Sequence, residues 1–137
     1  MLAAEAISKG RQARIENNLS AAREHYAEAA RIYREQNDLM GYAHTIRHIA
    51  DMHLEETNLA EAKNLCEEAL EIYRSNLNTR ILDLANTLRP YALLSEKLGE
   101  FELARQLWQE ARSLYGSLRV EAGVSECDAH LTELQQR

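Results

Sequence analysis

Leu84–Tyr115 reads LANTLRPYALLSEKLGEFELARQLWQEARSLY, two amphipathic helical patterns that meet at Leu98-Gly99-Glu100. In the second pattern, Ala104, Trp108, Ala111, Leu114 and Tyr115 fall at i, i+4, i+7 spacing, which places them on one helix face. Moving back 42 residues lands on Ala62, Cys66, Ala69, Ile72 and Tyr73, and 40 more on Ala22, Tyr26, Ala29, Ile32 and Tyr33. All three copies run small, bulky or soft, small, aliphatic, aromatic. The first pattern repeats as well: Gly41–Ala50 aligns with Asp83–Ala92 at an offset of 42, with Ala, Thr, an aliphatic, Arg and Ala coinciding. The connectors Asn17-Asn18-Leu19, Thr57-Asn58-Leu59 and Gly99-Glu100-Phe101 match too. Asn18 and Asn58 suit helix N-caps, and Gly99 suits the left-handed residue that ends a helix. A self-similar period of this length predicts stacked helical hairpins.

Composition agrees with a single ordered domain over 1–137. The chain is 45% apolar and 28% charged, with five glycines and one proline. No apolar run reaches the 18 or more residues of a membrane span. The start, MLAAEAISKG, lacks a basic n-region and does not read as a signal peptide. Cys66 and Cys127 lie on apolar faces without the paired spacing of a zinc site, which points to buried thiols in a reducing, cytoplasmic setting. The net charge of −6 argues against nucleic acid and anionic membranes as partners.

The chain resembles the tetratricopeptide repeat (TPR) family, in the longer variant of about forty residues seen in kinesin light chains and many bacterial regulators. The triad Ala104, Trp108, Ala111 corresponds to that family's second-helix signature, and Gly10, Ala50 and Ala92 to its small first-helix residue. The resemblance implies an all-α, right-handed α-solenoid of three repeats, about 3–38, 39–78 and 79–118, closed by a cap helix at about 119–137. Seven helices are expected, near 2–16, 19–36, 39–56, 59–76, 79–98, 101–117 and 120–135. The last, with Val120, Val124, Cys127, Leu131 and Leu134 as its stripe, reads as the polar cap that solenoids require.

The resemblance also implies a concave groove lined by the first helix of each repeat. Carried over by position, its residues are Arg11 and Arg14, then His44, Arg47, His48, Asp51 and Glu55, then Asn86, Arg89, Leu93 and Lys97. Arg47 and Arg89 occupy the same position in adjacent repeats, so they are expected about 10 Å apart, one helix-packing distance. An arginine ladder in an acidic protein points to carboxylate recognition, because the guanidinium is a rigid fork. The plain alternative is that these arginines pair with Asp51, Glu55 or Glu96 and only solvate the groove. The carboxylate clamp of chaperone-binding TPR domains is not reproduced: its lysine and asparagine positions hold Ile7, Arg11, His48 and Pro90.

Other features carry less. His44 and His48 stand four apart, with Asp51 three further on, but no Glu sits in the HExxH register, so no metal is expected. His53 reads as a core histidine, and His25 and His130 as surface positions. Pro90 in mid-helix removes a hydrogen bond, costs about 3 kcal/mol, and reads as a kink. No phosphate loop, nucleophile elbow or Cys–His–Asn constellation is present, so neither enzyme chemistry nor a cofactor is expected. The expected function is protein or peptide binding in the groove, with an acidic partner segment favoured. The alternatives are a self-associating module (a possible homodimer), or a regulatory segment of a larger bacterial protein, which the weak first helix and the start inside a helical pattern favour.

Overall fold

The computed structural model describes residues 2–137 and contains seven helices: α1 Ala3–Ile15, α2 Leu19–Glu35, α3 Leu39–Glu55, α4 Leu59–Arg74, α5 Ile81–Lys97, α6 Phe101–Ser117 and α7 Glu121–Leu134. Each matches its expected span to within two residues at either end. No strand occurs among the described residues. The chain forms two compact units, Met1–Ile72 and Tyr73–Arg137.

Five of the connectors share one geometry. After α1, α2, α3, α5 and α6, a residue with positive φ follows the C-cap: Asn17 (60°), Asn37 (58°), Thr57 (59°), Gly99 (77°) and Arg119 (59°). The next N–H then bonds back five residues, as in Asn18 N–H to Ala13 O (2.8 Å), Asp38 N–H to Tyr33 O (2.9 Å) and Glu100 N–H to Ser95 O (2.9 Å). This is the Schellman closure, which satisfies the orphan carbonyls at a helix end. The chain then enters the next helix at once. Asn18 Oδ1 accepts from Ala21 N–H (3.1 Å) and Asp38 Oδ1 from Gly41 N–H (2.9 Å). The connector at 75–80 is different. It is longer, held by Thr79 Oγ1–H to the Tyr73 carbonyl (2.7 Å) and by Asn78 N–H to Asn76 Oδ1 (2.9 Å), and Leu77 at its tip is fully exposed (104%).

In the first unit, small residues let the helices approach closely. Ala6, Gly10 and Ala13 on α1 are buried, and a Cβ on Gly10 would stand 3.0 Å from the Tyr26 ring. Ala13, Ala22, Tyr26, Ile49 and Met52 form one buried cluster, with Ile7, Leu19 and Leu65 packed at its edge. At the α2–α3 turn the Tyr33 ring lies on Gly41, where a Cβ would come within 2.6 Å. Arg34 stacks over the Tyr42 ring (5.1 Å), and the Tyr42 hydroxyl donates to Glu68 Oε2 (2.8 Å).

The second unit repeats these devices. Ala85, Leu88, Ala92 and Leu94 of α5 are buried, as are Ala104, Leu107, Trp108 and Ala111 of α6. Tyr115 lies on Gly123 as Tyr33 lies on Gly41, with a hypothetical Cβ 2.5 Å from the ring. The Trp108 indole N–H donates to Glu96 Oε2 (2.6 Å). α5 runs unbroken through the buried Pro90. His130, expected on the surface, instead stacks on Trp108 (4.3 Å between centroids, 15°), with Nδ1 2.8 Å from Glu96 Oε2.

Candidate functional site

The expected groove residues of the first unit converge on His48. α3 carries His44, Arg47, His48 and Asp51 on consecutive turns because the apolar partners of that helix, Ile46, Ile49, Ala50 and Met52, take the other side. His48 stacks on Tyr26 of α2 (5.7 Å, 20°). Burial, reinforced by the electrostatic effect of Arg47, His44, Arg14 and Arg11, pushes its imidazole down to about 4. Five side chains from two helices thus make one electropositive, partly desolvated spot in a chain whose net charge is −6. Arg14 is ion-paired with Glu55, and Arg11 is exposed.

Arg47 is the exceptional member. Only 8% of it is exposed, and its Nε and Nη1 are buried with no hydrogen-bond partner. Neither atom reaches Asp51 one turn away. Among the described residues two other buried nitrogens also lack a hydrogen bond, Arg23 Nη1 and His130 Nδ1, but Glu56 pairs with the first and Glu96 lies beside the second. Arginine does not deprotonate in proteins, so a buried fork with two unbonded nitrogens costs free energy.

In the second unit the equivalent residues have partners. Arg89 clamps Glu126 of α7 with both sides of its fork, Nε to Oε1 at 2.5 Å and Nη2 to Oε2 at 2.9 Å. Asn86 Oδ1 accepts from the Tyr115 hydroxyl (2.6 Å). Asn86, Arg89, Tyr115, Gly123 and Glu126 border a cavity of about 380 Å³. Leu93 is half-buried and Lys97 exposed.

Glu126 escaped the sequence reading, which treated α7 only as a cap. Its signal was available: Gly123, Glu126 and His130 stand 40 residues beyond Asp83, Asn86 and Pro90, so α7 repeats the first-helix register. Among the described residues no cluster of three or more His, Cys, Asp or Glu is placed to hold a metal, and no helix is long and apolar enough to cross a membrane. Burial raises the Cys66 thiol to about 12 and the Cys127 thiol to about 11, so neither is poised as a nucleophile.

No family model matches the chain, and no curated protein matches it. Among solved structures it is similar to the N-terminal domain of stress-induced protein-1 (STI-1) from C. elegans, with a TM-score of 0.76, 20% identity, and coverage of 97% of this chain and 94% of that one. At that identity the likeness is one of fold, and the fold is all-α and TPR-like.

Proposed function

We propose that this protein is a recognition module that binds a peptide segment of another protein, through the face carried by α1 and α3 in the first unit and through α5 in the second. The observation that carries this reading is Arg47: a fixed cation, buried and unmatched, beside a neutral imidazole and further arginines. Two Arg47 nitrogens carry no hydrogen bond, which leaves the charge of this set to be balanced by an acidic group of a partner. His44, Arg47, His48, Asp51, Arg11 and Arg14 form the first contact set, and Asn86, Arg89 and Leu93 the second. The TPR-like fold supports the reading, because stacked helical hairpins hold side chains in place before a ligand arrives. The partner then bears most of the ordering entropy.

The test is a pull-down from the source organism's lysate with the wild-type chain and with the Arg47→Glu/Arg89→Glu double variant, after circular dichroism confirms equal helicity. A protein captured by wild type in a salt-sensitive manner and lost by the variant supports the reading. Identical capture by both chains overturns it.

A further inference from the structure

α7 is fastened to the second unit by charge more than by apolar burial. Cys127 and Leu134 are its only buried residues, whereas α5 buries Ala85, Leu88, Ala92 and Leu94 along one helix. Three side-chain pairs tie α7 down: Glu126 in the fork of Arg89 (2.5 and 2.9 Å), Asp128 against Arg112, and His130 beside Glu96 (2.8 Å). The two arginine side chains are 44% and 49% exposed, so water and salt reach their pairs. The entry to the helix is weak as well. Val120 at the N-cap offers no side-chain acceptor. Arg119 before it holds φ at 59°, a left-handed position that the α5–α6 turn gives to Gly99.

We infer that α7 is a releasable strap: it detaches as a unit while the α5–α6 hairpin beneath it stays folded, and the Arg89–Glu126 and Arg112–Asp128 pairs hold it shut. Elements that open locally are those with little buried apolar surface and solvent-exposed polar contacts, which describes α7. Release uncovers the Trp108 indole, on which His130 stacks (4.3 Å), and the Tyr115 ring, against which Gly123 lies. Trp108 keeps the bond from its indole N–H to Glu96, because both belong to the hairpin. The open state is thus an intact hairpin with a bared aromatic face. Its setting is ionic: conditions that screen charge loosen the strap. The strap does not depend on what the protein recognises.

The chain carries its own reporter. Cys127 is buried in the middle of the strap, and Cys66 is buried in α4 as an internal reference. The full chain is incubated with N-ethylmaleimide, an uncharged reagent, at pH 7.5 in sodium chloride of about 20 mM and about 500 mM, which spans weak to strong screening. Alkylation of each thiol is followed by peptide mass. A buried thiol reacts only when the structure over it opens. In low salt Cys127 should react about tenfold faster than Cys66. High salt should speed Cys127 about fivefold and leave Cys66 unchanged.

Glu126→Gln with Asp128→Asn should bring the high-salt rate of Cys127 into low salt and remove most of the salt response. Glu110→Gln breaks the Arg74–Glu110 pair, which does not involve α7, and should behave as wild type. Deuterium exchange in high salt should rise over α7 and stay level over α5 and α6. Equal rates at the two cysteines would overturn the proposal. So would a wild-type Cys127 rate indifferent to salt, a full salt response in the double variant, or exchange that rises over α5 and α6 together with α7. If the double variant loses helicity, the wild-type salt comparison and the exchange pattern still decide.

Discussion

His48 is protonated in the unfolded chain at pH 5 and neutral in the folded one. Its ordinary value near 6.5 falls to about 4 on folding, through burial and the electrostatic effect of Arg47, His44, Arg14 and Arg11. The native state therefore binds fewer protons than the unfolded state between those two values. Stability is complete above about 6.5 and declines as pH falls towards 4. Allowing for the part of the ring that water reaches, the loss is about 2 kcal/mol across that window. Urea unfolding of wild type and His48→Gln at pH 7.5 and pH 5 measures it. The variant should lose most of the pH dependence, and an unchanged slope would show that other groups carry it. The resemblance to TPR repeats, carried over position by position, assigned His48 and Arg47 to one groove face. Their burial depends on which side chains of α1 and α2 close over them, which no spacing rule states.

Helix by helix, periodicity did most of the work, because each hairpin buries one stripe and leaves the opposite face polar. What it missed lay at helix entries. Gly41 and Gly123 look like ordinary surface glycines in a helical pattern, yet each lies beneath a tyrosine ring from the preceding helix. The opposite case is Gly116 in α6, where the nearest atom to a hypothetical Cβ is 4.0 Å away. Gly116→Ala should therefore stabilise the chain by about 0.5–1 kcal/mol, the ordinary helix-propensity gain. Gly123→Ala receives the same gain, but its Cβ meets a buried ring whose hydroxyl is tied to Asn86, so a net loss of about 1–2 kcal/mol is expected. Chemical denaturation of the two variants checks both signs together. α7 was read as a passive cover for a similar reason: the stripe of Cys127 and Leu134 was legible, whereas a salt bridge from Glu126 to Arg89 needed the fold.

At the scale of the whole molecule, the 75–80 connector departs from the common design. Five connectors are closed by backbone bonds that reach back five residues, and this one presents a fully exposed Leu77 beside exposed Ile81 and Leu82. Chymotrypsin at low ratio should make its first cut there, identified by intact-mass analysis, before any of the short turns is opened. A first cut at a short turn would contradict the protection ascribed to the Schellman bonds. The pairing of Arg89 with Glu126 has a further consequence. A carboxylate fixed on a neighbouring helix acts at an effective concentration of millimolar order or above, so a free acid at micromolar levels does not displace it. An incoming acid would displace Glu126 from Arg89 only if it arrived tethered at a comparable effective concentration.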